Sequence, residues 1–140
     1  MSKIKKAFIF SGGRGKRLGI YKKSNIKAFA KISSKKLLLN HIENLNKSLN
    51  VDKIYVVITE KKDFFENELK NFKNVEILEN TKNYTYQGIL SGLEMIKNYV
   101  SDDEKFLIFL ADEFFEEDDF KKFCNHAANT NKDENLIAIK

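Results

Sequence analysis

The chain has 140 residues, 42% of them hydrophobic and 32% charged, with two His, one Cys, no Trp and no Pro, a balance that excludes a membrane protein and a disordered tail. At this length one core buries roughly two-thirds of the surface of the unfolded chain, so a single domain over residues 1–140 needs neither disulfide nor structural metal. The net charge of +5 hides an asymmetry that calls for an anionic partner (nucleic acid, a membrane surface or a phosphorylated small molecule): residues 1–42 hold twelve Lys and Arg and no acid, while the remaining 98 hold 13 basic and 20 acidic residues.

The first apolar run, within Lys5 to Phe10, is continuous, as in a strand covered on both faces. It is too short for a signal peptide or a membrane span, which points to the cytoplasm. Directly after it comes Ser11-Gly12-Gly13-Arg14-Gly15-Lys16-Arg17-Leu18-Gly19, with four glycines in eight positions and three cations. Such a loop lets backbone N–H groups face a phosphate where a Cβ would block the approach. The plainer alternative is a tight turn with solvated basic side chains. A dinucleotide fingerprint would need glycine where Leu18 stands and an acid about twenty residues on, yet no acid precedes Glu43. The Walker pattern fails because Arg17 follows Gly15-Lys16.

Further along, Leu38, Ile42, Leu45 and Leu49 form a helical stripe, followed by a strand at Lys53 to Thr59. A second helix carries Phe64, Phe65, Leu69 and Phe72, and a strand follows at Val75 to Leu78. Between that strand and the next helix, Tyr84, Tyr86 and Gln87 are placed to stack on or hydrogen-bond a base, with Gly88 permitting close approach, or else simply to pack. The third helix reads Leu90, Leu93, Ile96 and Val100, and a strand occupies Lys105 to Leu110. The acidic run Glu116, Glu117, Asp118 and Asp119 precedes the helix of Phe120, Phe123, Cys124 and Ala127, where carboxylates favour the helix N-terminus better than they suit a metal cluster. Lone Cys124 reads as a buried thiol, and His41 and His126 as packing residues on helices. A last strand is expected at Leu136 to Ile139.

Strand and helix alternating throughout predict right-handed crossovers and a doubly wound, mostly parallel α/β sheet of Rossmann-like type. Ligands of such sheets bind beyond the carboxyl ends of the strands, so residues 11–19, 59–62, 79–88 and 111–113 form the functional shortlist.

Gly12-Gly13-Arg14-Gly15-Lys16-Arg17-Leu18 resembles the G-G-x-G-x-R-L signature of the sugar-phosphate nucleotidyltransferases, the group of nucleotide-sugar pyrophosphorylases and MobA-like NTP transferases. Asn25 to Ile32 is similar to that family's P-K-A-L-x-x-I, with Ile26 in place of proline and Lys27 retained; Gln87-Gly88-Ile89-Leu90 resembles its loop-to-helix start near the base, and Phe106 to Leu110 with Asp112 its metal-holding strand end. The resemblance implies transfer of a nucleoside monophosphate from a triphosphate to a sugar 1-phosphate with release of pyrophosphate. It assigns Gly12, Gly13 and Gly15 to the triphosphate, Arg17 to the β and γ oxygens, Lys27 to the α-phosphoryl group, Gln87 and Gly88 to the nucleotide, and Asp112 to Mg²⁺. A turn or helix cap is the other role open to Asp112.

Three other functions compete. A nucleic-acid binder fits the basic balance, but aromatic residues do not interleave in a stacking pattern with Lys22, Lys23, Lys27, Lys31, Lys35 and Lys36, and no helix-turn-helix, RNA-recognition or OB pattern appears. A glycosyltransferase of related fold would show Asp-x-Asp where this chain has Asp112-Glu113-Phe114. A nucleotide-binding remnant, or a module completed by another chain or a second copy, fits a length short for the family, whose later part supplies most of the sugar site.

Overall fold

The computed structural model describes residues 3–12, 27–32, 34–80 and 88–131, with the backbone alone of 88 and 89. In chain order these form β1 (Lys6–Phe10), a 3-10 turn (Lys27–Phe29), β2 (Lys31–Ile32), β3 (Lys35–Lys36), α1 (Leu37–Ser48), β4 (Lys53–Ile58), α2 (Lys62–Leu69), β5 (Val75–Glu79), α3 (Gly88–Ile96), β6 (Phe106–Leu110) and α4 (Glu117–Asn129). The strand expected at Leu136 to Ile139 lies outside the described residues.

β1 is a central strand because both of its edges are taken: it pairs in parallel with β4 on one side and β6 on the other, and β5 continues the sheet beyond β4. Each of these pairings joins strands separated by intervening helix, as parallel pairing requires. The expected α/β sheet with helices on both faces is therefore the observed one.

Alternation along the strands divides the core in two. Ala7 and Ile9 of β1, Ile54, Val56 and Ile58 of β4, and Leu107 and Phe109 of β6 join the inward stripes of α1 (Leu38, Ile42, Leu45), α2 (Phe65, Leu69) and α4 (Phe120, Cys124, Ala127). Phe8, Tyr55, Val57 and Leu78 point to the opposite face, where Ile96 of α3 covers them. The Phe8 and Tyr55 rings stack there at 4.9 Å. Cys124 is fully buried, and burial pushes its thiol up to about 12, so it packs as an apolar group.

The structure departs from the expected pattern in two places. The stripe expected on α3 is turned: Leu90 is 72% exposed and Leu93 36%, while Ser91 and Ile96 are buried. Asn80 and Gly92 explain the rotation. Asn80 Nδ2 donates to the buried Ser91 hydroxyl at 2.8 Å, and a Cβ on Gly92 would sit 3.1 Å from the Phe10 ring, so the polar and small side of α3 is the one that reaches the sheet. The antiparallel β2–β3 hairpin has no apolar alternation to announce it, since three of its four residues are lysines.

Candidate functional site

The carboxyl ends of β1, β4, β5 and β6 share one edge, and the residues leaving them carry the polar groups. Ser11 continues β1, its N–H donating to the Val57 carbonyl at 2.8 Å; its hydroxyl is buried and has no hydrogen-bond partner among the described residues. Gly12 follows, pressed against Thr59 at the end of β4. A Cβ there would lie 2.6 Å from Thr59 Cγ2, closer than any relaxed contact, so glycine is required for approach of the chain to β4. The Thr59 hydroxyl donates to the Gly12 carbonyl at 3.3 Å.

Lys27 reaches this edge from an anchored turn. The Ala30 N–H donates to the Lys27 carbonyl at 3.0 Å, and the Leu37 N–H donates to the Ala30 carbonyl at 3.0 Å, tying the turn to α1. Phe29, two residues on, is buried against Phe64 and Phe65 of α2 with ring centroids 5.3 and 5.2 Å away. The apolar side of the segment thus fixes the backbone and leaves the lysine at the rim.

Asp112 arrives from the other direction. β6 stops at Leu110, so Asp112 stands in the turn beyond the strand rather than in the strand itself. That turn is held at both shoulders: the Ala111 N–H donates to the Phe10 carbonyl at 2.9 Å, and the Glu113 N–H to the Leu110 carbonyl at 3.3 Å. The Lys27 ammonium and the Asp112 carboxylate make a direct ion pair across 85 positions of sequence. Their side chains are 39% and 36% exposed, so the pair contributes about 0–1 kcal/mol to stability. Such a pair opens at little cost, leaving the ammonium for an anion and the carboxylate for a cation.

Three of the residues singled out from the sequence, Gly12, Lys27 and Asp112, therefore meet at one edge, and Gly88 opens α3 at the helix start expected for it. Gly13, Arg14, Gly15, Lys16, Arg17, Tyr84, Tyr86 and Gln87 lie outside the described residues. Glu116 to Asp119 open α4 as expected, and no group of three His, Cys, Asp or Glu suited to a metal occurs among the described residues.

His41 was expected to do no more than pack. It is fully buried, and its Nε2–H donates to the Glu113 carbonyl at 2.8 Å, one residue from Asp112. Burial lowers its pKa from the ordinary 6.5, against the opposing pull of the Glu113 carbonyl and the Asp112 charge, so the ring is held neutral. A signal was available: His41 is three residues after Leu38 and four before Leu45, on the inward stripe, and a buried imidazole needs a partner.

These elements define a parallel, Rossmann-like α/β domain with a charged ligand edge. The model of the MobA-like NTP transferase domain matches residues 7–139. The bifunctional sugar-1-phosphate nucleotidylyltransferase/acetyltransferase of Sulfurisphaera tokodaii is 33% identical over 135 residues, covering 96% of this chain and 30% of that protein. Among solved structures, the inositol-1-phosphate CTP transferase from T. maritima superposes with a TM-score of 0.68 at 23% identity, over 83% of this chain and 46% of that one. A putative glucose-1-phosphate thymidylyltransferase from Bacillus anthracis gives 0.72 at 19% identity, over 89% and 50%. The chain belongs to the MobA-like NTP transferase domain family of nucleotidyltransferases. It spans about half the length of these solved structures and under a third of the curated relative.

Proposed function

We propose that the domain binds a nucleoside triphosphate at the carboxyl edge of the sheet and transfers its nucleoside monophosphate to a sugar 1-phosphate or similar phosphorylated acceptor in the cytoplasm. The observation that carries this reading is the Lys27–Asp112 ion pair at the sheet edge that also carries Gly12, which puts a cation, an oxygen donor and a side-chain-free backbone at the carboxyl ends of neighbouring strands. The Sulfurisphaera tokodaii relative, a sugar-1-phosphate nucleotidylyltransferase by name, supports the acceptor class.

In the reaction an acceptor phosphate oxygen forms a bond to the α-phosphorus as the bond to the bridging oxygen breaks, and the electron pair leaves with pyrophosphate. The nucleophile is already an anion, so positioning and charge neutralisation do the work. Lys27 releases Asp112 and offsets charge at the α-phosphoryl group, and the glycine loop with Arg17 holds the β and γ oxygens through Gly12, Gly13 and Gly15. Gln87 and Gly88 border the nucleotide.

The donor set fits Mg²⁺: one carboxylate at a rim, with phosphates to complete the shell, is how this cation is commonly held, whereas a protein-only metal cage would need more ligands than the described residues offer. When bound through Asp112, Mg²⁺ supplies charge stabilisation to the transferring phosphoryl group. The test is pyrophosphate release from a panel of CTP, UTP, GTP, ATP and dTTP with Mg²⁺ and a sugar 1-phosphate; Lys27→Ala and Asp112→Ala abolish it. If none of the five triphosphates binds, the reading fails.

A second reading, a domain that binds triphosphate but turns it over only when completed by further polypeptide or a second copy, is favoured by one observation. Leu90 and Leu93 of α3 and Ile108 of β6 are exposed on the same side of the sheet. Binding without turnover selects it.

A further inference from the structure

The Asp112 turn is fixed by two backbone hydrogen bonds made within the sheet edge and by one made from outside it. Ala111 is held to β1 and the Glu113 N–H to β6, but the Glu113 carbonyl is held by α1, through His41. The imidazole reaches it from an aromatic cage, 5.9 Å from the Phe109 ring, 5.8 Å from Phe115 and 6.5 Å from Phe120.

The arrangement is costly if packing were its only purpose. A carbonyl can only accept, so a neutral ring donates from Nε2 and leaves Nδ1 as a bare acceptor. Nδ1 is buried with no partner among the described residues. Leaving such an atom unsatisfied costs about 1–3 kcal/mol. A leucine or phenylalanine would fill the same cage without that cost, so the polar ring is explained by its one hydrogen bond. That bond stops the chain one residue past Asp112, on the side of the turn where no strand pairing acts.

We propose that His41 is a positioning residue that holds the Asp112 carboxylate at the cation-binding point by clamping the Glu113 carbonyl to α1. The inference rests on the proposed role of Asp112. It differs from that role in placing the control on another element, 71 positions earlier in the chain, which touches neither substrate nor metal.

The experiment uses backbone amide spectra of the chain, which at 16.3 kDa resolve single residues. Mn²⁺ is titrated with each common nucleoside triphosphate, and broadening of the amide signals around Asp112 is followed in wild type, His41→Gln and His41→Asn. A glutamine amide nitrogen falls near the Nε2 position and keeps the clamp; an asparagine nitrogen stops near Nδ1 and loses it. The expected result is near-wild-type Mn²⁺ dependence for His41→Gln and an affinity weakened about tenfold for His41→Asn, as when an outer-shell partner is removed. Faster amide hydrogen exchange at Glu113 in His41→Asn accompanies it. Should His41→Asn fail to fold, His41→Phe fills the cage and carries the same expectation. Equal Mn²⁺ dependence in all folded variants overturns this inference alone. Absence of any Mn²⁺ effect near Asp112 in wild type overturns the proposed function, and this inference with it.

Discussion

Two lysine–carboxylate pairs stand at opposite ends of the same sheet, and they are built for different ends. Lys6, at the start of β1, bonds Glu104 at 2.9 Å and also donates to the Tyr99 carbonyl at 2.7 Å, while the Ser101 N–H donates to Glu104 at 3.2 Å. Its side chains are 27% and 19% exposed and nearly saturated with partners. Lys27 and Asp112, at the carboxyl end, are more exposed and have only each other among the described residues. The same chemistry thus closes one end of the domain and leaves the other accessible to solvent, with one partner for each side chain among the described residues. Accessibility and the number of further hydrogen bonds, not the ion pair itself, separate a fastening from a site.

The largest expected effect breaks the ligand end without touching the fold. Asp112→Ala or Lys27→Ala lowers pyrophosphate release by at least about a hundredfold, while thermal unfolding shifts little, as an exposed pair dictates. Gly12→Ala comes next: its methyl meets Thr59 Cγ2 and destabilises the domain by about 1–3 kcal/mol. Thr59→Ser, which removes that methyl and keeps the hydroxyl, restores most of the loss in a urea titration of the double variant. A double variant no more stable than Gly12→Ala would show that the clash lies elsewhere.

At the closed end the outcome reverses. Lys6→Met costs about 1–2 kcal/mol of stability and leaves the triphosphate affinity as it was, measured by calorimetry; a loss of affinity would erase the distinction between the ends. The smallest effect is in pH. Because the folded chain depresses the His41 pKa below 6.5, the unfolded chain binds the proton first as pH falls. The stability present above pH 6.5 is then lost progressively below it, down to the depressed folded value. Urea midpoints at about pH 7.5 and about pH 5.5 therefore differ less in His41→Phe than in wild type.

β1, β4 and β6 were legible as unbroken apolar runs, β5 as the shorter run Val75, Ile77 and Leu78 interrupted by Glu76, and the α1, α2 and α4 stripes by their apolar residues at helical spacing. α3 was misread along one face: Leu90 and Leu93 satisfy the helical spacing, but Ser91 and Gly92 fit the space left by Asn80 and Phe10. The β2–β3 hairpin escaped notice because its lysines carry no strand pattern. Gly12, Lys27 and Asp112 could be named as a group only through the resemblance of their three segments to the nucleotidyltransferase signature. The clamp from His41 could not, since only the tertiary structure reveals which carbonyl a buried imidazole meets.

The two members of the ion pair at the carboxyl edge are also separated in time. β1 has no neighbour until β4 exists, and its second edge stays open until β6 docks. Pairings between such distant segments close large loops and slow folding. During synthesis the first 42 residues, with twelve cations and no carboxylate, leave the ribosome long before Asp112 does. The nascent chain therefore passes through a stage in which its basic segment is present and its acidic counterpart is not, and the Lys27–Asp112 contact cannot form until β6 has been made.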